Sequence, residues 1–164
     1  MAEQDTLNVK VDGSTPSWPT KSFLMKDYEL IEHTADIGIR VKAGDLKELF
    51  KNTALAMFDI IAEKKRNTQY SIRNTQYTIQ QKADDLEELF INWLNELLSL
   101  SATKDLIFSG FKIEKLGKNN LEATLFGDDI KNYKVNTEIK AATYHQLKIE
   151  QTVSGWEAEI IFDV

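Results

Sequence analysis

The residues of this chain that could do chemistry are few, and most are carboxylates. There is no cysteine, and the two histidines are His33 and His145. A disulfide framework, a thiolate zinc site and a cysteine nucleophile are excluded together. The chain also lacks a phosphate-cradling Gly-rich loop, a Gly-x-Ser-x-Gly elbow and a His-Glu-x-x-His pair. Catalysis by a histidine pair is not expected. His145 shares odd parity with Ile139, Ala141, Leu147 and Ile149, which assigns it to the packed side of a strand. The last segment is more informative. Trp156, Ala158, Ile160, Phe162 and Val164 share one parity, and Glu157, Glu159, Ile161 and Asp163 share the other. Asp163 therefore points away from the apolar stripe, and Val164 beside it is expected to contribute a free α-carboxylate as the last residue. Adjacent carboxylates can chelate a hard cation such as calcium, which takes oxygen ligands in irregular geometry. Asp36, on the polar parity of its own strand, could supply a third. Two carboxylates about 4 Å apart repel by roughly 4 kcal/mol at an effective dielectric of 20, so such a cluster requires a cation, a lysine or a shared proton. On spacing alone, Asp36 also reads as a strand end and Asp163 as a solvated side chain.

Regular elements must position these groups. Tyr28–Ile31 reads as a short strand, followed by the polar corner Glu32-His33-Thr34. Ile37, Ile39 and Val41 alternate with Gly38, Arg40 and Lys42, the period-2 pattern of a half-buried strand. After Gly44, Asp45 with Glu48 three residues on resembles a capping box. It opens a helix whose apolar face (Leu46, Leu49, Phe50, Ala54, Met57, Phe58, Ile61) extends as far as Glu63. Asp85 and Glu88 repeat the cap before the stripe Leu86, Leu89, Phe90, Trp93, Leu94, Leu97 and Leu98. Residues 45–52 and 85–92 match at six of eight positions. Either two amphipathic helices converge on one pattern, or a strand–helix unit is duplicated.

Between the helices lies a tandem repeat, Asn67-Thr68-Gln69-Tyr70-Ser71-Ile72-Arg73 followed by Asn74-Thr75-Gln76-Tyr77-Thr78-Ile79. Its odd period would turn the second copy to the opposite face of one continuous strand, so the second copy alone is assigned to the sheet. Phe108–Leu116 and Leu121–Phe126 flank the hairpin turn Gly117-Lys118-Asn119-Asn120. Val135–Glu150 reads as one long strand and Trp156–Val164 as the last. The expected class is α+β: a mixed sheet of about six to seven strands carrying the two helices on one face.

The chain has 164 residues, the size of one domain. Residues 1–26 read as an arm. They hold both prolines, and their three acids cancel three lysines, so the whole net charge of −6 falls on residues 27–164, the expected single domain. That excess argues against a dedicated nucleic-acid binder, although a local basic patch is compatible with it. The longest apolar run, Ala54–Phe58, is far short of the roughly 20 residues of a membrane span. No secretory leader is apparent. A soluble protein of the cytoplasm is expected.

Several separated motifs occur in the order found in one family. Tyr28-Glu29-Leu30-Ile31-Glu32-His33-Thr34-Ala35-Asp36-Ile37 and Ala54-Leu55-Ala56-Met57-Phe58 are followed by Asp85-Leu86-Glu87-Glu88-Leu89 and Trp93-Leu94-Asn95-Glu96-Leu97-Leu98. Glu138-Ile139-Lys140-Ala141-Ala142-Thr143-Tyr144-His145 and the ending Phe162-Asp163-Val164 complete the set. Over residues 27–164 the chain resembles archease. The resemblance implies an accessory protein for the RtcB-type RNA ligase, which seals RNA ends after guanylylating an active-site histidine with GTP and a divalent metal. Archease promotes that guanylylation and sustains turnover in tRNA splicing and RNA repair, and it is not itself known as an enzyme. The resemblance further implies a cation, calcium in the family's crystals, held by Asp36, Asp163 and Val164, with Lys140 as the other functional position. The parity reading is compatible with this, since Lys140 lies opposite Ile139 and Ala141. RNA would be met only through the ligase, and no membrane is implied. A metal-dependent hydrolase or nuclease using the same carboxylates, or a general chaperone or interaction module, are the alternatives. The extension and the Asn-Thr-Gln-Tyr tandem are not family hallmarks.

Overall fold

The two helices start where the caps place them. In the computed structural model, which describes residues 28–66 and 75–164, Asp45 and Asp85 are extended N-caps. Their side chains accept from the backbone N–H of Glu48 and Glu88, at 2.8 Å each. Helix α1 (Leu46–Ile61) follows strand β2 (Ile37–Ala43), and α2 (Leu86–Lys104) follows β4 (Thr75–Lys82). The strand–cap–helix unit thus recurs locally. Phe50 and Phe90, equivalent in the two eight-residue segments, meet edge to face with centroids 4.9 Å apart. The Trp93 indole N–H donates to the Phe50 carbonyl at 3.0 Å, fixing the two helices to each other inside the core. Helix α1 ends at Ile61, not at Glu63, because Ala62 is already extended and opens the short strand β3 (Ala62–Lys64).

The α+β class holds, but the single mixed sheet does not. Among the described residues nine strands form three sheets, and every pairing is antiparallel. Strand β1 (Tyr28–Ile31), β2, β9 (Gly155–Asp163) and β8 (Ala141–Thr152) lie in the order β1-β2-β9-β8. Strands β4, β6 (Asn120–Asp129) and β5 (Leu106–Leu116) lie in the order β4-β6-β5, and β3 pairs with β7 (Tyr133–Val135). Strands of three residues are too short to show a period of two, which is why β3 and β7 escape a pattern reading. Both helices serve both larger sheets, α1 against β2, β9 and β5 and α2 against β8, β5 and β4. Placed between sheets, the middle of α1 is buried all round from Thr53 to Phe58. One core unites both helices with both larger sheets.

The second tandem copy is strand β4, as expected, with Ile79 buried and Gln76, Thr78 and Gln80 exposed. The first copy and the expected arm, residues 1–26, lie outside the described residues. Val135–Glu150 is not one strand. Residues 136–140 are irregular, and the N–H groups of Asn136 and Thr137 donate to the Ile61 carbonyl at the end of α1. Strand β8 is then bulged, since Thr143 pairs with Ile161 and Lys148 with Glu159, leaving Tyr144–Leu147 opposite Ile160 alone. Gln146 within the bulge has φ 54. The odd number of extra residues reverses parity, so Ala142 faces the core before the bulge and Leu147 and Ile149 lean on it afterwards. His145 is consequently exposed, not packed. Among the described residues no helix is long and apolar enough to cross a membrane.

Candidate functional site

Strand pairing sets the positions of the acids at one end of a sheet. In β2–β9, Ile37 pairs with Phe162, so Asp36 lies at the register position of Asp163. In β8–β9, Ala141 pairs with Asp163, which sets Lys140 at the position of Val164. The Lys140 N–H donates to the Asp163 carbonyl at 2.8 Å. One end of the four-stranded sheet therefore carries Asp36, Lys140, Asp163 and Val164 at the ends of three adjacent strands. Asp163 and Lys140 are exposed, while Asp36 and Val164 are half-buried.

The corner before Asp36 is tightly made. Ala35 has φ 69, a left-handed conformation that costs a residue with a Cβ about 1–2 kcal/mol. His33 Nδ1 stands 3.7 Å from Asp36 Oδ2 and is buried without a hydrogen-bond partner. The β8 bulge carries His145 toward the same corner, where the two imidazoles meet edge to face at 5.8 Å. Parity did not reveal that meeting, because it depends on the bulge.

Asn95 was also missed as a site residue. Its amide donates to the Ala142 carbonyl at 3.1 Å and accepts from the Ala142 N–H at 2.8 Å. Strand β8 is a sheet edge, and this pair satisfies the outward backbone groups two residues after Lys140. In sequence Asn95 shows only as a polar interruption of the α2 stripe.

The outer face of this sheet is a charge ladder in register. Glu29, Arg40, Glu159 and Lys148 follow one another across β1, β2, β9 and β8. Arg40 bonds Glu29, its Nε lies 3.3 Å from Glu159, and Lys148 lies 3.8 Å from the same carboxylate. The hydrogen bonds to Glu29 and Glu159 raise the Arg40 pKa above its ordinary value. Glu29 of β1 and Glu159 of β9 are thus neutralised by basic partners on neighbouring strands.

A donor set of two side-chain carboxylates and the carboxylate expected at Val164 is all oxygen, which suits a hard cation and not a thiophilic one. Among the described residues no group of three or more His, Cys, Asp or Glu side chains could hold a metal ion. A cation here would need the terminal carboxylate, backbone carbonyls or water to complete its shell.

The fold and the strand-end cluster define a small α+β protein with an acidic, lysine-flanked patch at one end of its four-stranded sheet. The chain matches the Archease protein family (MTH1598/TM1083) over residues 28–164. It is 37% identical over 145 residues to protein archease of Methanosarcina barkeri, covering 85% of this chain and 97% of the relative. It is 37% identical over 146 residues to that of Pyrococcus furiosus, covering 85% and 100%. The solution structure of Methanobacterium thermoautotrophicum protein 1598 is similar at a TM-score of 0.61 and 29% identity, covering 85% of this chain and all of that one. A crystal structure from Thermotoga maritima, of an archease described as a possible chaperone, is similar at 0.58 and 25% identity, covering 82% and 94%. This chain belongs to the archease family.

Proposed function

We propose that the chain is an accessory activator of an RtcB-type RNA ligase, promoting its GTP-dependent guanylylation and its turnover in tRNA splicing and RNA repair. It would act in the cytoplasm and catalyse no reaction itself. The observation that supports this reading best is the register convergence of Asp36, Lys140, Asp163 and Val164 at one sheet end. In this reading Asp36, Asp163 and Val164 hold a divalent cation, with calcium the first candidate. Such a cation would supply positive charge for an anionic group of the partner. The chain's own groups do the rest. Asp36 and Asp163 orient toward the partner's nucleotide site, and Lys140 offers a positive charge to a phosphate or to the acids beside it. Asn95 and the pairing of β8 with β9 hold Lys140 at a fixed offset from Asp163.

The test follows guanylylation of a cognate ligase with GTP and divalent metal, with and without this protein. Wild type should raise the rate and sustain multiple turnovers, and Asp36→Asn, Asp163→Asn and Lys140→Ala should each lose most of that gain. An unchanged rate and turnover with wild type would refute the reading. The description of the Thermotoga maritima relative as a possible chaperone favours a second reading. A general chaperone predicts partner binding that survives substitution of Asp36 and Lys140.

A further inference from the structure

The β3–β7 pair builds a second charged feature, away from the strand-end acids. A cavity of about 430 Å³ is lined by Glu63, Lys64, Lys65, Arg66 and Lys134. Four of its five lining residues are cations, in a chain whose net charge is −6. Cross-strand pairing sets the arrangement. Glu63 pairs with Lys134 and Lys64 with Tyr133, and the Lys65 N–H donates to the Asn132 carbonyl at 2.9 Å. Lys134 lies 3.7 Å from Glu63, and Lys64 lies 3.5 Å from Asp128 and 6.0 Å from the Tyr133 ring centroid. Glu63 and Asp128 offset part of that positive charge.

We propose that this cavity is a binding site for the phosphates of a nucleic-acid strand. On the activator reading, on which the choice of RNA rests, the strand is the ligase's RNA. The lining explains why a strand is preferred to a free nucleotide. A nucleotide site needs apolar or aromatic surface to read a base, and this cavity presents only charged side chains. Such a lining recognises the backbone alone and adds affinity without sequence preference. Position fits as well. Lys134 and Lys140 are six residues apart, so the patch lies within roughly 20 Å of the strand-end site, a few nucleotides of extended strand. The overall negative charge makes the contact weak by itself, so it acts as a second point of attachment for RNA that the ligase already holds.

The experiment measures binding of a fluorescent single-stranded RNA to the isolated protein by anisotropy across a salt series. Two to four neutralised phosphates give a slope of log K against log salt of about −1.4 to −2.8. Lys65→Gln with Arg66→Gln removes two cations from the lining and keeps the Lys134–Glu63 and Lys64–Asp128 ion pairs. This double variant should flatten the slope by about 1.4 and weaken binding about tenfold at low salt. Lys82→Gln with Lys118→Gln, which removes the same charge elsewhere, should change binding less than twofold. Equal losses from the two double variants, or no RNA binding at low salt, would overturn the proposal. So would displacement of the RNA by equimolar pyrophosphate, which would show a simple anion site. None of these readouts involves guanylylation, so failure here is distinct from failure of the activator reading.

Discussion

Removing the Asn95 amide tests whether α2 positions the site. The perturbation is Asn95→Ala. It deletes two hydrogen bonds, of 2.8 and 3.1 Å, to the backbone of Ala142, a buried residue on an edge strand. A hydrogen bond contributes about 1 kcal/mol net, but a buried group left without its partner costs about 1–3 kcal/mol. Both Ala142 groups are orphaned, and water reaches an edge strand more easily than a central one, so the expected loss is about 2–4 kcal/mol. For a chain of this size that is a fall in Tm of roughly 4–16 °C. Asn95→Asp keeps an acceptor for the Ala142 N–H but sets a carboxylate against the Ala142 carbonyl, and it should be at least as damaging.

The loss should also be local. Ala142 follows the residue paired with Asp163, and Lys140 bonds the Asp163 carbonyl, so loosening Ala142 frees the start of β8 before the rest of the sheet. Denaturant titration gives the stability change, and amide hydrogen exchange gives its location. Protection should fall most at Lys140 and Ala142 and least in β5 and β6. A loss under about 0.5 kcal/mol, or exchange accelerated uniformly over the whole chain, would refute the clamp.

Three further outcomes are expected. The Tyr28 hydroxyl donates to Asp59 at 2.6 Å, and burial, followed by that hydrogen bond and the Asp59 charge, pushes the phenol well above the usual tyrosine range. Because its folded value exceeds the unfolded one of about 10, the associated stability is complete below that pH and declines as pH rises through and beyond it. The stability difference between wild type and Tyr28→Phe should therefore shrink above about pH 10, and a difference constant into strong base would contradict the assignment. Ala35→Gly should relieve the left-handed strain at φ 69 and stabilise the fold by about 0.5–1 kcal/mol after the extra unfolded-state entropy. If that strain aims Asp36, calorimetry should show cation affinity falling several-fold despite the gain; unchanged affinity would separate the strain from the site. Residues added after Val164 should weaken cation binding far more than the same residues added before Met1, and equal affinities would remove the terminal carboxylate from the ligand set.

What could be read in the sequence divides by range. The caps at Asp45 and Asp85 were legible because a cap is decided within four residues. The alternation in β9 was legible because burial on one face writes every second letter. His145 was misplaced because parity was carried across an odd bulge, and Gln146, its left-handed residue, is not the glycine that would have marked it. Asn95 was overlooked because its partner belongs to another element. Asp36 and Asp163 are separated by most of the chain, so the residue pattern offered Asp36 only as a candidate third ligand beside Asp163 and Val164, with a solvated strand end as the competing reading; the resemblance favoured the joint site. Yet the local pattern fixes the distant one. A slip of β9 by one residue would turn Ile160 and Phe162 to solvent and Glu159 inward, undoing its bonds to Arg40 and exposing side chains that are now fully buried. The core therefore locks the register of β9 against β2 and β8, and that register sets which residues stand at the strand ends. Asp36, Lys140 and Asp163 stand outside the core cluster, but their offsets are determined by apolar residues that belong to it.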